Sequence, residues 1–598
     1  MAYVHIRAVS RAARSIRARS LRALSVRPLS VRALSVRPRP ERPRPEREGG
    51  PGRPAPVTGG AADAPPPRPP FSPPPSSRQR SRRTRILRAG ALAAAGALAA
   101  TATAACGSDD ASARTGPLAE QRIDWESCPA PTTLQGAGAG APDPLPGGGA
   151  WECGTLQVPL DWSNPDGKRI DVALIRVKAK DQDRRLGSLV FNFGGPGASG
   201  VATLPSAAKE DYTTLHSRYD LVSLDPRGVG ESEAVRCLDD KGLDALYATD
   251  STPDNAAEVR TGLADAKKSV AACVRNSGAV LPHVGTESAA RDLDLLREVL
   301  GDDKLNYFGI SYGTELGAAY AHLFPRKAGR MVLDAVVDPT ENPEQGALGQ
   351  AKGFQLALDS FLKDCAQKAS CPTGTDPEQG EQRIKDLLKQ LDSTSLPTED
   401  GRRLNQTHAL NGIVQALYSQ DLWPYLKQGL EEAQNLRTGN LLLALSDSLT
   451  GRDQQGHYNN IQSANTAIVC ADDKSRYTPD EVRAKLPEFR AASPVFGDNL
   501  AWGLLQCTGW PVTGKADGVD VSAPDAGPIL VVGNTGDPAT PYAGAKRMAE
   551  GLGKGVGIEV TNKGQGHGAY GSGSCVTKVI NAYLLDGKVP RNGTVCPA

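Results

Sequence analysis

Short, mostly apolar runs recur through the body of this chain, separated by amphipathic stretches. Residues 188–193 (Ser188, Leu189, Val190, Phe191, Asn192, Phe193) end at Gly194-Gly195-Pro196-Gly197. Residues 219–224 end at Asp225-Pro226-Arg227-Gly228. Residues 304–310, 330–334, 528–532 and 558–560 read as further strands. Such runs, lacking a polar face, belong to strands buried on both sides, as in parallel sheets covered by helices. Between them, residues 287–300 place Leu293, Leu295, Leu296, Val299 and Leu300 on one helical face. Residues 314–323 form the helix after the 304–310 strand. This alternation predicts an α/β chain with a largely parallel central sheet.

Residues 340–500 break the rhythm. Helical periods cover 353–366, 378–391, 408–418, 422–436 and 441–449. The expected organisation is therefore a core at 151–340, a helical cap at 341–500 and a second core segment at 501–598. Residues 106–150, rich in Gly, Ala and Pro, are expected to be a tether and an irregular lead.

The candidate chemistry lies where strands end. Gly309-Ile310-Ser311-Tyr312-Gly313 is a G-x-S-x-G pentapeptide between a predicted strand and a predicted helix. A nucleophile at a sharp strand-to-helix turn needs glycine on both sides, and the helix N-terminus favours developing negative charge. Ser311 is the candidate nucleophile. Its base should follow it, and His567, in Gly566-His567-Gly568, comes late enough to lie beyond an acid-bearing strand. His322, His408 and His457 fall in predicted helices or the cap and read as surface or packing residues. The acid should follow a strand upstream of His567. Asp537, in Gly536-Asp537-Pro538, fits, whereas Asp525 and Glu559 precede or lie within a strand. Its task would be to fix the imidazole tautomer. Oxyanion donors are expected from the amides of Tyr312 and Gly195. No Gly-Lys-Ser/Thr follows the glycine loop, so a phosphate cradle is not expected there.

Several motifs in order resemble the tripeptidyl aminopeptidases of actinomycetes, within the prolyl-aminopeptidase-like clan of α/β-hydrolases. They are residues 192–200, Asp225-Pro226-Arg227-Gly228-Val229-Gly230-Glu231-Ser232, the Ser311 pentapeptide, Gly536-Asp537-Pro538-Ala539-Thr540-Pro541 and Gly566-His567-Gly568. Cys470-Ala471-Asp472, Cys507-Thr508-Gly509-Trp510-Pro511 and the C-terminal segment from Ser574-Cys575 to Cys596 share the likeness. The resemblance spans roughly residues 125–598. It implies an α/β-hydrolase fold, a Ser311–Asp537–His567 triad and release of short N-terminal peptides under a gating cap. An exopeptidase must also bind an ammonium. Glu315, one helical turn beyond Ser311, and Glu231 are candidates, although Glu315 also reads as a buried partner of Arg227. The rival readings are a cell-envelope carboxylesterase or lipase with the same triad, and a non-catalytic binding lipoprotein. The expected substrate is a peptide or a small ester, with no cofactor.

Cysteine usage and charge add the compartment. Apart from Cys106, ten cysteines remain: Cys128, Cys153, Cys237, Cys273, Cys365, Cys371, Cys470, Cys507, Cys575 and Cys596. An even number suits five disulfides in an exported protein. Sequential pairing is the simplest of many connectivities. There is no Cys-x-x-Cys pair and the histidines are scattered, so no metal site is expected. The first 88 residues hold 21 Arg, no Lys and four acids, against 48 basic and 63 acidic groups in the remainder. That acidic body argues against nucleic acid as a partner. Residues 1–80 read as a disordered Arg/Pro-rich leader, or a tract ahead of the true start. Residues 81–105, a basic stretch followed by an apolar run, read as a signal peptide. Thr103-Ala104-Ala105-Cys106 resembles a bacterial lipobox, with Cys106 as the lipidated residue of a membrane-anchored protein. Free secretion is the alternative.

Overall fold

The computed structural model describes residues 116–597, apart from Ala139 and Ala516. The expected leader (1–80), signal segment (81–105) and lipidation site Cys106 lie outside the described residues.

Among the described residues there are twelve strands: β1 (Glu126–Ser127), β2 (Glu152–Pro159), β3 (Arg169–Val177), β4 (Ser188–Asn192), β5 (Asp220–Leu224), β6 (Leu305–Ile310), β7 (Ala328–Asp334), β8 (Leu396–Pro397), β9 (Arg403–Leu404), β10 (Ile529–Gly536), β11 (Gly557–Gln565) and β12 (Thr594–Cys596). Ten of them form one sheet, in the order β1-β2-β3-β5-β4-β6-β7-β10-β11-β12. Pairing is antiparallel from β1 through β3 to β5, and parallel from β5 to β12. β8 and β9 form a separate two-stranded ribbon.

The apolar runs do what their pattern implies. In β10, Ile529 and Val531 join the core on one face of the sheet, and Leu530 and Val532 join the core on the other. Side chains alternate across a strand, so a run without polar positions must be covered on both sides. β2 and β3 were not read from the sequence; β2 escaped the pattern because it is half-covered. Leu156 and Val158 point inward, while Gln157 between them is exposed.

The helices of the expected cap range have a core of their own, built from Phe361, Ile384, Leu410, Ile413, Leu426 and neighbours. Two findings go beyond the sequence reading. Helices Asp240–Tyr247 and Ala256–Ser277 form another insertion, between β5 and β6. The helix Ile461–Asp472, inside the expected cap range, packs with the sheet core through Ala464, Ala467, Ile468 and Cys470.

Five disulfides pair in chain order: Cys128–Cys153, Cys237–Cys273, Cys365–Cys371, Cys470–Cys507 and Cys575–Cys596. The loop after β5 is fixed by buried polar groups. Asp225 accepts from Ser199 Oγ (2.6 Å), Gln135 Nε2 (2.8 Å) and the Val201 and Glu231 amides (3.1 Å each). Arg227 is fully buried and pairs with Asp292 at 2.6 Å, while donating to the carbonyls of Pro159, Leu160 and His283. The expected Arg227–Glu315 pair is therefore not formed.

Candidate active site

The parallel strands all run the same way, so the loops after β4, β6, β10 and β11 emerge at one edge of the sheet. Those loops carry Gly195, Ser311, Asp537 and His567.

Ser311 sits at the turn between β6 and the helix Tyr312–Leu323, with φ 59° and ψ −127°. A side chain there is strained and persists only when its surroundings fix it. They do so from several sides. The Ser311 amide donates to Asp334 O (3.0 Å), and Ser311 O accepts from the Thr314 amide (2.8 Å) and Thr314 Oγ1 (2.7 Å). The flanking glycines are sterically required. A Cβ on Gly309 would lie 2.2 Å from Gly313 O, and one on Gly313 would lie 2.6 Å from Asn192 O.

His567 and Asp537 meet. Nδ1 of His567 lies 2.9 Å from Asp537 Oδ1 and 3.1 Å from Oδ2. Asp537 Oδ1 also accepts from the amides of Ala539 (3.0 Å) and Thr540 (2.9 Å), and both acid and base are buried. These bonds assign the proton to Nδ1, which leaves Nε2 as an acceptor; Nε2 is buried without a hydrogen-bond partner. An imidazole so held can take a proton from a serine hydroxyl. The histidine loop is itself tied down. Asn534 Nδ2 donates to Gly566 O (2.9 Å) and Gly568 O (3.0 Å), and the His567 amide donates to Tyr418 O (2.9 Å) of the cap. The Tyr418 ring stands edge-on to the imidazole at 5.3 Å.

A cavity of about 900 Å³ lies between the core and the cap, and Ser311, Gly195 and Tyr312 line it together. The Gly194 amide is engaged by Asn192 Oδ1 (3.0 Å), so in this loop Gly195 is the residue presented to the cavity. Glu315, Asp472 and Asp473 line the same cavity. Burial, reinforced by the Asp472 and Asp473 carboxylates, raises the Glu315 pKa to about 8. Burial also lifts Asp472 to about 7, against the pull of its bonds to Thr286, and Asp473 to about 6, with help from Asp517. Glu231 is elsewhere. It is exposed and accepts from Thr132 Oγ1 at 2.5 Å, and it does not line the cavity.

Residues 493–596 match the family described as TAP-like protein. The serine protease Hip1 of Mycobacterium tuberculosis is 39% identical over 471 residues, which cover 76% of this chain and 88% of that protein. The chain belongs to the TAP-like family of α/β-hydrolase-fold serine hydrolases. Carboxylesterase B of Mycobacterium tuberculosis is 35% identical over 455 residues (74% of this chain, 86% of that protein). A tripeptidyl aminopeptidase of Streptomyces lividans is 29% identical over 506 residues (81% and 90%).

In this TAP-like hydrolase the structure adds groups that the sequence reading did not single out. Asp334, the last residue of β7, accepts from the amides of Ala569 (3.0 Å) and Tyr570 (2.9 Å) and so grips the segment just after His567. Burial pushes its pKa up to about 6 against those donors, and the nearby Asp537 adds to the rise. A carboxylate closing an apolar strand was the available signal. Thr540 Oγ1 lies 3.4 Å from His567 Nδ1. Tyr418 carried no local signal, because its contact with His567 joins residues far apart in the chain.

Proposed function

We propose that this hydrolase is an exported serine exopeptidase that removes short peptides from free N-termini. The observation that carries the reading is a single cavity holding both Ser311 and the carboxylates Glu315, Asp472 and Asp473. Three half-buried acids with raised pKa values favour a cationic guest, whose charge would stabilise their ionised forms. A peptide's α-ammonium is such a guest.

The strained Ser311 turn and the Asp537–His567 pair support the following chemistry. Ser311 Oγ attacks the scissile carbonyl while His567 Nε2 takes its proton. Asp537 keeps the Nδ1 proton in place and stabilises the imidazolium. The carbonyl oxygen, now carrying the charge, is held by the amides of Tyr312 and Gly195 at the N-terminus of the helix Tyr312–Leu323. His567 returns the proton to the leaving amine, which departs. Water, deprotonated by the same nitrogen, then attacks the acyl-enzyme and frees the short peptide as an acid. Glu315 is the proposed contact for the substrate ammonium.

A second reading, a carboxylesterase, has support in the relative that bears that name and in the apolar side chains around the cavity, among them Phe354, Phe496 and Trp502. The two separate on an Ala-Ala-Pro-type amide with a free amine, its N-blocked twin and a short-chain ester. The exopeptidase reading expects the free amine to be preferred; preference for the blocked peptide or for the ester alone would overturn it.

Five disulfides suit an oxidising compartment and support export. Among the described residues no helix is long and apolar enough to cross a membrane. Attachment through lipidated Cys106 is proposed from the lipobox-like Thr103-Ala104-Ala105-Cys106. Labelled palmitate should appear on that residue, and a mature N-terminus elsewhere would exclude the anchor.

A further inference from the structure

The Cys470-Ala471-Asp472 motif has a place in the cavity wall, and its hydrogen bonds run toward the nucleophile turn. We infer that Asp472 is a positioning residue for the oxyanion site: its carboxylate holds Thr286, and Thr286 holds the side chain of Tyr312. The inference rests on the proposal that the Tyr312 amide binds the oxyanion, and not on the nature of the substrate.

Asp472 Oδ1 accepts from the Thr286 amide (2.8 Å) and Oδ2 accepts from Thr286 Oγ1 (2.7 Å). Thr286 Oγ1 lies 2.6 Å from Tyr312 OH. Above its pKa of about 7 the Asp472 carboxylate only accepts, and the hydroxyls then point one way. Tyr312 O–H donates to Thr286, and Thr286 donates to Asp472. Thr286 and Tyr312 are both buried, which shields the bond between their hydroxyls from water.

The chain places the carboxylate where an anion is favoured. Thr286 opens the helix Thr286–Val299, whose first amides lack intrahelical partners. The residue before it must be small, because a Cβ on Gly285 would lie 2.7 Å from Asp472 Oδ1. Asp472 is itself anchored. The Cys470–Cys507 disulfide lies two residues back, Arg476 donates to the carbonyls of Cys470 and Asp473, and the Gly514 amide donates to Asp473 O (3.1 Å).

The relay thus runs from a stapled segment to the residue next to Ser311. An oxyanion donor works by being in place before charge develops. The strained Ser311 turn needs external restraint to hold the following amide in that place. The Tyr312 ring is the handle through which Asp472 supplies it.

Thr286→Val and Tyr312→Phe each cut the relay while keeping shape and the Tyr312 amide; Thr286→Ser restores the hydroxyl. The mature protein is assayed on the free-amine peptide, its blocked twin and the ester, and by the rate at which a fluorophosphonate labels Ser311. Both cutting variants should lower kcat about tenfold on every substrate the wild type hydrolyses, with KM changed less than about twofold. Labelling should slow in parallel, and Thr286→Ser should recover both. Unchanged labelling in Tyr312→Phe would overturn the inference, as would a loss confined to KM for free-amine substrates. If Thr286→Val folds poorly, Tyr312→Phe decides. If only the ester is hydrolysed, the exopeptidase reading falls and the ester and labelling data still decide the relay.

Discussion

Asp537 and Glu315 are two carboxylates of one site, held in contrasting ways. Asp537 sits among donors: the amides of Ala539 and Thr540 and the ring of His567. Glu315 is surrounded by apolar burial and by the charges of Asp472 and Asp473, and its pKa rises to about 8. A carboxylate with donors on its oxygens is fixed in position and suits orienting a base. One that gains no compensating charge is poised for a cation to supply it. The contrast divides the site into a part built to hold atoms still and a part built to receive.

The sharpest break of that comparison is at the still part. As the proposed nucleophile, Ser311→Ala should lower kcat by about 10⁵-fold or more, with an unchanged melting temperature and no fluorophosphonate labelling. Retained hydrolysis would remove Ser311 from the role. Asp537→Asn keeps the shape but cannot hold the Nδ1 proton in the same way. A loss of about 10³–10⁴-fold in kcat is expected, measured on peptide and ester alike.

Asp334→Asn tests the support behind His567. Both oxygens accept from the Ala569 amide and Oδ2 also from the Tyr570 amide, so the NH2 group of Asn would face a donor. We expect kcat to fall about ten- to a hundredfold with little change in KM, since no substrate contact is lost. Glu315→Gln tests the receiving part. It should raise KM for the free-amine peptide about tenfold while leaving the ester nearly untouched. Equal effects on both substrates would make Glu315 structural and erase the proposed division.

The smallest effect is on stability. Glu315 has a folded pKa of about 8 against an ordinary 4.5. Between those values the folded protein holds the proton more tightly than the unfolded chain does. This contribution is complete below about pH 4.5 and is lost as pH rises through about 8. Glu315→Gln lacks the loss, so calorimetry between pH 6 and 9 should show its melting temperature gaining about 1–2 °C on the wild type. A constant gap would mean that Glu315 ionises without penalty.

Much of the hydrolytic part was readable from local rules. A G-x-S-x-G turn, an acid after a strand and a histidine between glycines each announce themselves within a few residues, and the fold brings Asp537 and His567 within hydrogen-bond reach. The receiving part was read less well. Glu231 looked equivalent to Glu315 in sequence, but it follows a loop that turns outward to Thr132. Glu315 was matched to Arg227, whose partner is Asp292, another residue of a helix the sequence reading had found. β2 was missed because its alternation of buried and exposed positions leaves no apolar run, and the short apolar run 172–175 of β3 was not read as a strand.

The sequence by itself determined the order of the apolar strands and of the helices read between them, the sequential disulfides as the simplest pairing, and the types of residue able to do acyl transfer. Those depend on period, on turn chemistry and on chain order, which are local. Only the tertiary structure decided which carboxylates share the cavity with Ser311, that Tyr418 of the cap touches His567, and that Asp472 reaches Tyr312 through Thr286. Charge, burial and hydrogen bonding between residues more than a hundred positions apart depend on distances in space, and no local pattern carries them.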